Sequence, residues 1–146
     1  MKTIKLTDRL MVAPQIAAGD FAALARDGVR AVINNRPDSE EPGQLSSSEA
    51  AQLAAACGLA YHHIPVTAAT LSDAAVREFR QKVAAADGRV LAYCRSGTRS
   101  ATLWALGAIL AGETSRDETL ALGRANGLDL AGGLAWLDRR SPPPAG

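Results

Sequence analysis

The sequence predicts an α/β fold: a mainly parallel sheet of four to five strands with helices on both faces. Three observations predict it. Short aliphatic runs alternate with longer segments of helical periodicity, the pattern of parallel strands joined by crossover helices. The apolar run Val90-Leu91-Ala92-Tyr93-Cys94 passes directly into a polar loop and then a second apolar run over 101–111, which reads as buried strand, tight loop and buried helix. With 146 residues, 47% of them hydrophobic and 21% charged, the chain is long enough to bury one proper core. No internal repeat or second domain interrupts it, so one domain is assigned to 1–140 and a frayed, disordered tail to 141–146.

The elements follow in order. Ile4 and Leu6, the turn Thr7-Asp8-Arg9 and then Leu10 to Ala13 read as two short strands, closed by Pro14. Asp20 is placed as the N-cap of a helix over 21–27 that Gly28 stops. Residues 29–34 form a buried strand, and 34–44 is a loop by composition. Ser47 or Ser48 caps a helix running to Cys57, and Gly58 ends it. A strand over 59–64 is ended by Pro65. Ser72 begins a helix to about Ala86, with Val76, Phe79 and Val83 on one face. Asp87-Gly88 turns the chain into the strand before Cys94. The helix after Arg99 is apolar nearly all round and should be buried. Ser115 caps a helix to about Ala125, and a last helix covers 132–139.

Cys94-Arg95-Ser96-Gly97-Thr98-Arg99-Ser100 is the candidate catalytic loop. A loop whose successive N–H groups turn inward forms an anion-binding nest, and the following helix N-terminus adds partial positive charge. Arg95 and Arg99 add full charges. Such a setting favours the thiolate of Cys94 and holds an anionic substrate beside it. Gly97 suits a loop position of positive φ or close backbone approach. A lone cysteine is also a common core residue, but a core position does not call for the polar run that follows. Ligand sites in such sheets gather beyond the carboxyl ends of the strands, so the 34–44 loop is expected to face the same crevice.

Composition excludes some classes. A net charge of +1 does not point to nucleic acid or a membrane surface, and no apolar run is long enough to span a bilayer. Cys57 and Cys94 make no disulfide framework, so a reduced, cytoplasmic setting is expected. His62 and His63, the only histidines, face opposite sides of a strand and make no metal site; no metal or cofactor is expected. Cys57, Trp104 and Trp136 read as packing residues.

Three segments in order carry a resemblance: Leu10-Met11-Val12-Ala13-Pro14-Gln15, Val32-Ile33-Asn34-Asn35-Arg36-Pro37-Asp38 and the Cys94 loop. Over residues 3–140 the chain resembles the bacterial phosphatase-like domains found alone or fused to metallo-β-lactamase-type sulfur dioxygenases, the β-lactamase hydrolase-like proteins. The resemblance implies the protein tyrosine/dual-specificity phosphatase fold with Cys94 as nucleophile, and a sulfur dioxygenase as partner. One departure concerns the loop. Phosphatases of this type place five residues between Cys and Arg, whereas four separate Cys94 from Arg99. A shorter ring of N–H donors is tighter around a phosphoryl group and is similar to the rhodanese sulfurtransferase loop. A second departure is proton delivery: the stretch 65–73 offers only Asp73, which suits an early helix position, so Asp38, Glu40 or Glu41 would have to serve, Asp38 being best placed.

The leading expectation is therefore a sulfurtransferase working through a Cys94 persulfide, with thiosulfate or a persulfide as the small anionic donor. Arg95, Arg99 and the loop N–H groups of 95–98 would hold the donor, and Arg36 would help unless it pairs with Asp38, Glu40 or Glu41. Ser96, Thr98 and Ser100 would polarise the sulfur, Ser100 also serving as a helix cap. The alternative is a phosphatase acting on a phosphoester through a Cys94 thiophosphate. The third reading is a non-catalytic anion-binding module.

Overall fold

The computed structural model describes residues 1–140; the tail expected at 141–146 lies outside the described residues. In chain order the elements are β1 (Ile4–Lys5), β2 (Leu10–Ala13), α1 (Asp20–Arg26), β3 (Val29–Asn34), α2 (Ser47–Ala56), β4 (Ala60–His63), α3 (Asp73–Ala85), β5 (Arg89–Tyr93), α4 (Thr98–Leu110), α5 (Arg116–Ala125), α6 (Ala131–Leu134) and α7 (Trp136–Arg139). The strands form one sheet in the order β1-β2-β5-β3-β4. Only the edge pair β1–β2 is antiparallel; β2–β5, β5–β3 and β3–β4 are parallel. The expected architecture is present, and β5, the strand that delivers Cys94, is the central one.

The core divides between the two faces of the sheet. Leu10, Val12, Ala31, Ile33, Val90 and Ala92 pack beneath α3 and α4 together with Val76, Phe79, Leu103 and Leu106. Val32, Leu91 and Tyr93 face the other way, against Phe21 and Leu24 of α1 and Ala50 and Ala54 of α2. Strand alternation accounts for this partition except at the start of β3. There Val29 pairs with Arg89 but Ala31 with Val90, so Arg30 is an extra residue, a bulge that resets the alternation and lets Val29 join Val32 on the α1–α2 face. Helix α4 is buried along most of its length, as its all-round apolar sequence requires. Among the described residues no helix is long and apolar enough to cross a membrane.

Several boundaries differ from those expected. Asp20 is the first residue of α1 rather than its cap; its carboxylate accepts the Ala17 N–H at 2.8 Å. Helix α2 is capped by Ser46, not by Ser47 or Ser48, because Glu49 completes a capping box with it. Helix α4 begins at Thr98, before Arg99. The last helix is two short ones, α6 and α7.

Candidate active site

The carboxyl ends of β3 and β5 are adjacent, and their outgoing loops are stitched together by the backbone. The Asn35 N–H donates to Tyr93 O at 2.8 Å, the Cys94 N–H to Ala13 O at 3.3 Å and the Gln15 N–H to Arg95 O at 3.3 Å. Cys94 therefore leaves the central strand with both neighbouring strand ends fixed beside it. The chain then turns through Gly97, whose φ of +93° belongs to the left-handed region open to glycine, and enters α4 at once. This turn aims the Gly97 N–H at Cys94 Sγ, 3.0 Å away. A donor on sulfur stabilises charge there, and α4 points its N-terminus at the same place.

Around this loop the charged side chains form one network. Arg99 Nη1 and Nη2 donate to the two oxygens of Glu40 at 2.9 and 2.8 Å, and Nη1 also reaches the Val66 carbonyl at 3.0 Å. Arg36 Nε donates to the same Glu40 at 2.8 Å, and its Nη2 to Glu41 at 2.9 Å. The Arg36 side chain is only 1% exposed, and its remaining edge meets Gln15 Oε1 at 3.1 Å. Such burial is tolerable because its donors are matched by carboxylates. Hydrogen bonding from Arg99, with further help from Arg36, outweighs burial and holds the Glu40 carboxyl down to about 2. Glu41 is lowered as well, chiefly by Arg36. Arg95 is largely exposed, with Glu41 4.0 Å away.

The expected site residues are thus brought together in part. The Gly97 N–H meets Cys94 Sγ, while Arg99 turns its guanidinium to Glu40 of the 34–44 loop and to the Val66 carbonyl. Ser100 does not serve as a cap, lying inside α4. Nor is its hydroxyl free to polarise the sulfur, because it donates to Asn35 Oδ1 at 2.8 Å. The hydroxyls of Ser96 and Thr98 bond to each other at 3.2 Å. Asp38 turns away to accept the Ser47 N–H at 2.8 Å, and Asp73 is held by two hydrogen bonds from Arg140, each 2.9 Å. Arg36 takes the pairing with Glu40 and Glu41, one of the two arrangements its sequence context allowed. Cys94 itself has no exposed surface.

Sequence reading missed Asn35 and understated Glu40. Asn35 is fully buried, donates to Ile64 O at 2.9 Å and joins β3, β4 and α4 behind the loop. A pair of asparagines following an apolar strand with no turn glycine was the available signal. From the sequence Glu40 reads as a proton donor or as a partner of Arg36, whereas it bridges Arg36 and Arg99.

Comparison with known proteins places this arrangement. The chain matches the family model described as "Beta-lactamase hydrolase-like protein, phosphatase-like domain" over residues 3–111. It is 40% identical over 141 residues to the Beta-lactamase hydrolase-like protein of Agrobacterium fabrum, covering 97% of this chain but 33% of that protein; the chain thus spans about a third of that relative's length. A crystal structure from Neisseria meningitidis, described as that of a candidate phosphatase, superposes with a TM-score of 0.82 at 35% identity, covering 93% of this chain and 96% of the other. P. aeruginosa TpbA, in a complex with pTyr, has a TM-score of 0.71 at 18% identity over 91% of this chain and 80% of its own, a likeness of fold. By its family match and its identity to these relatives, the chain belongs to the phosphatase-like domain family of the beta-lactamase hydrolase-like proteins.

Proposed function

We propose that residues 1–140 form one catalytic unit that hydrolyses phosphomonoesters through Cys94. The observation that carries this reading is the Gly97 N–H on Cys94 Sγ at 3.0 Å, at the start of a helix that bears Arg99 in its first turn. In the first step the thiolate attacks phosphorus, the S–P bond forms, and the P–O bond to the alcohol breaks with its electron pair leaving on oxygen. In the second, water attacks the thiophosphate, releasing inorganic phosphate and restoring the thiolate. Loop N–H groups and Arg99 would stabilise the equatorial oxygens in both steps. The fold shared with TpbA and the likeness to the N. meningitidis protein favour this chemistry over sulfur transfer.

One observation keeps sulfur transfer as a second reading. Only Arg95, Ser96 and Gly97 lie between Cys94 and the first residue of α4, so the cradle is short. Hydrolysis of an aryl phosphate by the wild type, abolished in Cys94→Ser, supports the phosphatase. If no phosphate is released, and intact mass instead shows one sulfur atom added by thiosulfate to the wild type but not to Cys94→Ser, the persulfide route replaces it. Phosphate binding retained in Cys94→Ser, with neither reaction in the wild type, would leave a binding module.

A further inference from the structure

We propose that Glu40 is a built-in competitor for the anion site on Arg99, so that an oxyanion takes the two terminal nitrogens of Arg99 only by displacing the Glu40 carboxylate and the turn at Ser39 that aims it. The inference rests on the reading of the Cys94 loop as an oxyanion site.

Two independent observations support it. First, the Glu40 carboxylate meets Arg99 as a bound oxyanion would, one oxygen on each terminal nitrogen at 2.9 and 2.8 Å. With Val66 O on Nη1 as well, three of the guanidinium's five N–H donors are engaged, both of those on Nη1 among them. Second, Cys94 has no exposed surface. A nucleophile so placed cannot be reached by phosphorus until something moves, and Glu40 ties the facing loop to the first turn of α4 that follows Cys94.

The segment carrying Glu40 is built to move. Residues 38–43 are exposed. Ser39, the residue before Glu40, sits at φ +62°, a left-handed conformation that a non-glycine residue keeps only where its surroundings hold it there. Those surroundings are mostly side-chain links: Glu40 to Arg36 and Arg99, Glu41 to Arg36, and Gln44 to Pro37 O and the Glu40 N–H. Arg36 would keep Glu41 and Gln15 after Glu40 leaves, so opening need not strand that buried cation. Arg99, freed of a monoanion, would then pair with the dianion that replaces it. A tethered carboxylate competes as if present at roughly millimolar concentration, so the wild type would bind phosphate weakly.

The test is inorganic phosphate binding by calorimetry to the wild type and to Glu40→Gln, whose neutral amide keeps the shape and loses the charge. Competition predicts binding at least about tenfold tighter in Glu40→Gln, with KM for an aryl phosphate falling more than kcat changes. Equal or weaker binding in the variant, or no phosphate binding by either protein, overturns the proposal; weaker binding would mean that Glu40 positions Arg99. Should the variant fail to fold, hydrogen exchange on the wild type decides: saturating phosphate must speed exchange at amides of 38–44, and unchanged or slower exchange overturns the idea. Tighter phosphate binding without turnover would sustain this inference and end the phosphatase reading. Turnover with unaltered binding would do the reverse.

Discussion

Glu40 has the largest consequence at the scale of single residues. Arg99 and Arg36 hold its carboxyl at about 2, against an ordinary 4.5. Above pH 4.5 the group is ionised in folded and unfolded chains alike, and its contribution to stability is fully present. As pH falls from 4.5 toward 2 the unfolded chain takes up a proton that the folded chain refuses, so that contribution is lost. Urea denaturation over this range should therefore show a steeper loss of stability in the wild type than in Glu40→Gln. Parallel slopes would mean that the bridge to the two arginines is not made. The sequence could show that carboxylates lay near Arg36, but not which arginine each would choose. Arg36, Arg95 and Arg99 face Glu40 and Glu41, and the pairing depends on how the turn at Ser39 aims the chain. Ser100 was misjudged for a similar reason: its partner Asn35 is 65 residues away in sequence.

At the scale of elements, local chemistry was largely readable. The strand over 29–34 and the helix capped by Ser72 lie where their residues put them, and Ser115 caps α5 as its side chain suggests. The α2 cap shows a signal present but misweighed: Ser46-Ser47-Ser48-Glu49 contains one serine with a glutamate three residues on, and that spacing selects Ser46. What remained out of reach is packing between elements. Gly133 of α6 lies so close to α4 that an added Cβ would overlap Thr102 Cγ2 and stand 2.9 Å from its Oγ1. Gly133→Ala should accordingly destabilise the fold by roughly 1–3 kcal/mol, the ordinary cost of overpacking. Thr102→Ala in the same chain should restore part of that loss, because it removes both crowded atoms. Thermal denaturation of the two single variants and the pair checks this; additive losses would show that the helices do not meet at these residues.

For the whole molecule, the parallel order around β5 brings the loops after β3 and β5 to one end of the sheet, and this much followed from alternating strands and helices. The chemistry done there depends on a feature that only the assembled structure displays, the commitment of the four carboxylates that the sequence offers as acids. Asp38 accepts the Ser47 N–H, Glu40 and Glu41 face arginines, and Asp73 is paired with Arg140. Arginine bonding lowers the pKa of Glu40, Glu41 and Asp73, which leaves these three poor proton donors near neutral pH. A phosphatase acting without a positioned acid must expel its alcohol as an anion, so its rate should follow the stability of that anion. Across a series of substituted phenyl phosphates kcat/KM is expected to fall steeply as the phenol becomes less acidic, with simple alkyl phosphates slower still. A rate independent of the leaving group, lost on Asp38→Asn, would instead mean that Asp38 leaves Ser47 during turnover and supplies the proton.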